Sequence, residues 1–116
     1  MIRQTFAFAG SIIATSCLLA VLAFAGQNKA ANKGDAAKGK ELFEQCAICH
    51  NVDTDEKKMG PSLKGLFKRK TLQNGKEVND ANVLTQINNG GNGMPAYSDM
   101  LSAQDKADVL AYLHTL

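Results

Sequence analysis

The sequence of 116 residues predicts an all-α domain of three to four helices, preceded by a separate apolar segment. Apolar residues recur at spacings of three and four in segments that also carry helix-capping residues. The alternation of apolar and polar residues that is typical of strands is missing from the sequence. The composition is that of a globular domain, with 45% apolar and 21% charged residues and only 2 prolines.

Residues 1–25 have the pattern of a signal peptide. Arg3 precedes 22 residues without a charge, 5–26, and Ala23-Phe24-Ala25 forms a small-x-small cleavage pattern before Gly26. An uncharged run of this length also suffices to cross a bilayer, so membrane association through an uncleaved anchor, residues 5–26, is the alternative. Lipid attachment at Cys17 is disfavoured, because an alanine stands where a bulky apolar residue is expected. Either way, the rest of the chain is predicted to be periplasmic or otherwise exported.

The exported part is small for a domain that folds on its own core. Residues 26–34 are polar and predict a linker, which leaves 35–116 as the domain. Removal of residues 1–25 leaves 91 residues with four aromatic side chains and no Trp. Such a domain usually needs a disulfide, a metal or another staple, and three cysteines do not make a disulfide framework. We therefore expect a non-protein group in the core.

Two helical segments are predicted in the first half of the domain. The first helix covers about 36–48, with Asp35 as its cap. Gly39 lies on the apolar face of this helix and costs helix propensity, so another helix is expected to approach closely there. A short apolar helical turn follows at 63–67.

Two further helices are predicted in the second half. One covers 82–88 and ends in a glycine-rich loop, 89–93. Ser102 and Asp105 form a capping box that starts the last helix, about 103–115. His114 is interpreted as a plain helix end, where a cation is mildly favoured.

Residues 46–50 spell Cys-x-x-Cys-His, the signature of covalent haem attachment. Two thiols at this spacing on a helical turn reach two haem vinyl groups and form thioethers, and His50 then offers a ring nitrogen to the iron. A zinc site needs four ligands, and His114 is the only other candidate. A redox dithiol would lie in an α/β pattern, which is missing. The motif thus predicts one haem c bound through Cys46 and Cys49.

Met94 is the predicted second ligand of the iron. It follows the glycine-rich loop and precedes Pro95, which restrains the backbone next to it. A thioether sulfur is a soft, neutral ligand, and His/Met ligation raises the reduction potential. Met59 is expected on the side of His50, and Met100 is expected to pack before the last helix.

Around these residues the chain resembles the class I c-type cytochromes, small monohaem proteins, over nearly all of 35–116. The resemblance rests on Gly39-Lys40-x-x-Phe43, the Cys-x-x-Cys-His motif, the segment 59–67, the loop 93–97 and Ala111-Tyr112-Leu113. It implies the cytochrome c fold, with three to four helices wrapped around one covalently attached haem. It further implies that Gly39 and Phe43 pack against Val109 and Tyr112.

The resemblance also implies roles for three residues between the haem motif and the second helix. The Pro61 carbonyl accepts a hydrogen bond from the His50 ring, Leu63 lies against the haem, and Arg69 lies near a haem propionate. The absence of Trp and the 24 residues between Arg69 and Met94 indicate the compact bacterial or photosynthetic type.

A haem with both axial positions filled by protein has no vacancy for a substrate, so the chain is predicted to be an electron-transfer protein and not an enzyme. We expect a monomer that carries one electron between membrane-bound or periplasmic redox complexes. The near balance of 13 basic and 11 acidic residues argues against nucleic acid as a partner. Five lysines are expected near the haem edge, where they either dock partners or are ordinary surface: Lys57, Lys58, Lys64, Lys68 and Lys70. The alternatives are a haem-bearing subunit tethered to an oxidase or dehydrogenase complex, and a peroxidase or gas sensor with a labile Met94.

Overall fold

The computed structural model describes residues 33–116, so the predicted signal peptide or anchor lies outside the described residues. Three α-helices and one 3-10 turn follow in order: α1 (Ala36–Ala47), the 3-10 turn (Leu66–Lys68), α2 (Asp80–Asn89) and α3 (Ala103–Leu113). Residues 33–116 contain no β-strand, only two isolated β-bridges, Thr71–Glu77 and Gly91–Met94. The predicted all-α class with three to four helices is confirmed. No helix in this range has the length and apolarity to cross a membrane.

The helices begin where side chains can cap them. The Asp35 carboxylate accepts hydrogen bonds from the backbone of Ala37 and Lys38, and the predicted capping box at the start of α3 is complete. Helix α2 starts two residues earlier than predicted, because the Asn79 side chain accepts a hydrogen bond of 2.8 Å from the Asn82 amide. Asparagine is a good N-cap, but the polar residues around it hid the signal in the sequence.

Helices α1 and α3 pack against each other at Gly39. A Cβ atom at this position would overlap the Asp108 carbonyl and lie 2.9 Å from the Tyr112 Cβ. The Phe43 and Tyr112 ring centroids are 5.3 Å apart, and Val109 is only 2% exposed. The predicted contact of Gly39 and Phe43 with α3 is confirmed, and it explains why glycine interrupts the apolar face of α1.

The far end of α3 joins two other elements through His114. Its imidazole stacks on the Phe67 ring at 3.6 Å, and its Nε2 atom lies 2.7 Å from a carboxylate oxygen of Asp80. The interpretation of His114 as a plain helix end was therefore wrong. The expectation that Met100 packs was also wrong, since 64% of this residue is exposed.

Candidate haem site

A cavity of about 650 Å³ opens between the end of α1, the segment 59–74, α2 and the loop before α3. Cofactor pockets typically measure about 300–1,000 Å³, whereas protein interiors otherwise have few voids larger than a water molecule. Buried apolar side chains such as Leu66, Val83 and Ile87 form part of its wall. A large, mostly apolar group therefore suits this cavity, as expected for a domain whose own side chains do not fill its core.

The two cysteines of the motif border this cavity at the end of α1. The backbone amides of Cys49 and His50 both donate to the Cys46 carbonyl, at 3.0 and 2.9 Å, so the motif folds as one tight turn. Cys46 and Cys49 are not joined in a disulfide. Burial raises the pKa of the Cys46 thiol, and the neighbouring Cys49 adds to the rise. The partly buried setting of Cys46 suits an uncharged thioether better than a thiolate.

The His50 ring is oriented by the segment that follows the next loop. Its Nδ1 atom lies 2.8 Å from the Pro61 carbonyl oxygen. A carbonyl only accepts hydrogen bonds, so Nδ1 carries the proton and Nε2 keeps a free lone pair. Gly60 lies flat against the ring, where a Cβ atom would come within 2.5 Å of the His50 Cε1 atom. The Gly60 amide also donates to the Cys49 carbonyl at 2.9 Å, which ties this segment to the motif.

Met94 borders the same cavity as His50 and follows a tightly folded loop. Gly90, Gly91, Asn92 and Gly93 all have positive φ angles, a conformation that glycine adopts without steric cost. The backbones of Gly91 and Met94 are bonded to each other in both directions, at 2.9 and 3.1 Å. The positive φ angles let the loop turn tightly before Met94, and at Gly90 a Cβ atom would also overlap the Met94 carbonyl.

Gln86 is a contact of Met94 that sequence reasoning missed. Its Nε2 atom donates to the Gly90 carbonyl at 2.8 Å and lies 3.9 Å from the Met94 sulfur. Its Oε1 atom accepts from the Asn74 side chain at 3.1 Å. The reverse amide orientation would set Oε1 against the Gly90 carbonyl, so the network assigns the NH2 group to the sulfur side. A glutamine eight residues before a methionine carries no signal of this contact in the sequence.

Leu63 and Arg69 also border the cavity. The Arg69 guanidinium donates to the Ser62 carbonyl at 2.9 Å and to the Lys64 carbonyl. Arg69 therefore holds the backbone on both sides of Leu63. The sequence predicted only a propionate contact for Arg69 and not these two backbone hydrogen bonds. The role of both residues towards a haem stays a prediction.

None of the five lysines predicted near the haem edge borders the described cavity. The Lys58 ammonium donates to the Ala47 carbonyl at 2.9 Å and so places a cation at the C-terminal end of α1. Lys64 lies 3.5 Å from the Asp55 carboxylate. The cavity lining contains one charged side chain, Arg69.

The model of the cytochrome c family matches residues 36–116. The chain belongs to the cytochrome c family. It is 36% identical over 98 residues to a cytochrome c of Gibberella zeae, covering 69% of this chain and 92% of the relative. It is 32% identical over 81 residues to a cytochrome c6 of Diacronema lutheri, covering 69% of this chain and 94% of the relative.

A solved structure supports the same family. The cytochrome c6 of the diatom Phaeodactylum tricornutum matches with a TM-score of 0.56 and 28% identity, covering 71% of this chain and 93% of that one. The chain is thus a class I monohaem c-type cytochrome with the cytochrome c fold, and its cofactor is one covalent haem c. Members of this family carry electrons between redox partners and are not enzymes. The predicted fold, cofactor and electron-carrier function are confirmed.

Proposed function

We propose that the chain carries single electrons between membrane-bound or periplasmic redox complexes, with Cys46 and Cys49 holding the haem. His50 Nε2 and the Met94 sulfur would bind its iron. The main support for the proposal is the hydrogen bond of 2.8 Å between His50 Nδ1 and the Pro61 carbonyl. His50 borders the same cavity as Met94. Such a bond orients a ligating imidazole and strengthens its donation.

The haem supplies an iron that alternates between two oxidation states, and the protein residues set how easily it does so. A neutral thioether favours the ferrous state, so the Met94 sulfur raises the potential. Leu63 shields the cavity with apolar surface, and Arg69 holds the backbone beside Leu63. We place Arg69 near a propionate, because it contributes the positive charge in the cavity lining.

We propose that residues 1–25 direct export and are removed, which places the domain in the periplasm or another exported compartment as a monomer. The uncharged run 5–26 supports the alternative of a tethered subunit of an oxidase or dehydrogenase complex. N-terminal sequencing of protein released from membranes by salt distinguishes them. A start at Gly26 supports the soluble carrier, whereas an intact N-terminus that salt does not release supports the tethered form.

The axial ligands are tested by absorption spectra of the ferric and ferrous protein, made in a host that attaches haem. We expect low-spin spectra and the weak far-red band of methionine bound to ferric iron. Met94→Ala should lose this band and should bind CO rapidly in the ferrous state. Met59→Ala and Met100→Ala, which change exposed methionines, are the matched controls and should keep the band.

Four results would contradict the proposal. A high-spin wild-type spectrum, or rapid and complete CO binding at neutral pH, would indicate a vacant iron and favour a peroxidase or gas sensor with labile Met94. Persistence of the far-red band in Met94→Ala would exclude this residue as the ligand. If Cys46 and Cys49 did not attach haem, the motif would instead be interpreted as part of a zinc site or as a redox dithiol.

A further inference from the structure

We infer that His114 is a pH-sensitive clamp. When its imidazole gains a proton, it ties the end of α3 more firmly to Asp80 at the start of α2 and to Phe67 in the 3-10 turn. Histidine is the side chain whose charge ordinarily changes between about pH 5 and 8, so the clamp responds to the acidity around an exported protein. The inference concerns the stability of the domain, and it holds whichever residues bind the iron.

His114 contacts two elements that are distant from it in the sequence. Its ring is stacked on the Phe67 ring, with the centroids 3.6 Å apart and an angle of 17° between the planes. Its Nε2 atom lies 2.7 Å from the Oδ1 atom of Asp80. One imidazole therefore joins the C-terminal end of α3 to both the 3-10 turn and α2.

Protonation strengthens each contact of this ring. A charge-assisted hydrogen bond to the Asp80 carboxylate is about twice as strong as a neutral one. His114 is the C-cap of α3, where the helix dipole attracts a cation, and the face of Phe67 attracts one as well. The neutral ring keeps the stacking and a weaker bond. The added stability is therefore present at the acidic end of the histidine range and is lost as the pH rises through it.

Asp80 is the charged group that controls this response. Among residues 33–116 it is the only carboxylate within ion-pair distance of His114. The 3-10 turn faces the imidazole with the neutral Phe67, and the exposed Lys68 beside it makes no bond to His114. The residues 115–116 have no charged side chain. The side chains of His114 and Asp80 are 47% and 64% exposed, so water and salt keep the effect small.

The clamp holds together three parts of the cavity wall. Each element that it joins also supplies one buried apolar side chain to that wall: Leu66, Val83 and Leu113. Leu66 and Leu113 are the chain neighbours of the two stacked rings. A looser clamp therefore lets the wall separate more readily, and the domain unfolds more easily.

The test is unfolding of the holoprotein in urea at low salt, followed in the haem absorption at about pH 5 and about pH 8. His114→Phe keeps a ring that stacks on Phe67 but has no proton to gain, and Asp80→Asn removes the carboxylate charge. We expect each variant to raise the unfolding equilibrium constant by about threefold more at the lower pH than at the higher one. Asp99→Asn, which removes an exposed carboxylate outside the clamp, is the matched control and should have the same effect at both.

The double variant His114→Phe with Asp80→Asn tests whether the two residues act on each other. At the lower pH it should unfold no more easily than the less stable single variant. Salt at about 1 M, where the Debye length is about 3 Å, should reduce the pH-dependent part of the loss. All variants should keep the haem spectrum of the wild type, because none of the changed residues borders the cavity.

Three results would overturn the clamp. An equal effect of His114→Phe at both pH values would mean that the neutral imidazole makes the contact just as well. Additive losses in the double variant would show that His114 and Asp80 are independent. A pH-dependent loss in Asp99→Asn as large as that in Asp80→Asn would assign the effect to the net charge of the domain.

Discussion

Replacement of Gln86 by Leu tests how the protein adjusts the proposed Met94 ligand. The Gln86 Nε2 atom lies 3.9 Å from the Met94 sulfur, within reach of a weak hydrogen bond. A donor at the second lone pair of the sulfur withdraws electron density from it. The ferric iron depends on that density more than the ferrous iron does, so the contact favours the ferrous state. We expect the variant to have a lower reduction potential.

The size of the shift follows from the strength of this bond. Hydrogen bonds contribute about 0.5–1.5 kcal/mol, and a thioether is a weak acceptor at the low end of that range. A one-electron potential changes by about 59 mV for a tenfold change in equilibrium constant, which is about 1.4 kcal/mol. Loss of the bond should therefore lower the potential by roughly 20–40 mV.

The assay is a spectroelectrochemical titration of the holoproteins at neutral pH. Gln45→Leu is the matched control, because Gln45 also borders the cavity but donates to the Leu42 carbonyl at 3.1 Å. Asn74→Ala removes only the partner of the Gln86 oxygen and should cause a smaller shift. An unchanged or higher potential in Gln86→Leu, or an equal shift in Gln45→Leu, would show that the Gln86 contact does not set the potential.

Three further predictions concern stability of the holoprotein. Gly39→Ala should lower the free energy of unfolding in guanidinium by about 1–3 kcal/mol, because the added Cβ overlaps the Asp108 carbonyl; an unchanged midpoint would contradict it. Burial raises the pKa of Tyr97 above its ordinary value of 10.0. The protonated phenol therefore contributes stability below pH 10.0, and this contribution is lost as the pH rises through the raised pKa of the folded state. Tyr97→Phe should therefore flatten the fall of stability above about pH 10, and equal slopes in both proteins would exclude the phenol. Hydrogen bonds from the Ser102 side chain and backbone lower the pKa of Asp105 below its ordinary value of 3.8. The stability that these bonds contribute is present above pH 3.8 and is lost as the pH falls through the lowered pKa of the folded state. Asp105→Asn should show a weaker acid dependence in unfolding curves from about pH 5 down to 2, and an unchanged dependence would exclude this group.

Much of the fold could be predicted because its signals are local. The Asp35 cap and the capping box from Ser102 to Asp105 involve residues two or three apart, and the structure contains both. The start of α2 was placed too late, because Asn79 lies among other polar residues that could equally begin a turn. Element boundaries set by one side-chain hydrogen bond are therefore the least readable feature of this sequence.

Contacts between distant segments could be predicted less well. The role of Gly39 was inferred correctly from its cost to the helix, but its partner atom, the Asp108 carbonyl, depends on how α3 crosses α1. The interaction of His114 with Phe67 and Asp80 left no trace in the local sequence. Lys58 looked like a docking charge, yet its ammonium is bonded to the end of α1.

The haem chemistry of this protein can be predicted from a few neighbouring residues. The Cys-x-x-Cys-His spacing specifies covalent haem attachment within five residues, and the glycine-rich approach to Met94 predicts a second ligand. Folding sets which His50 nitrogen keeps its lone pair, which side chain reaches the Met94 sulfur and how little charge borders the cavity. Covalent attachment depends on neighbours along the chain, whereas orientation and electrostatics depend on atoms that only folding brings together.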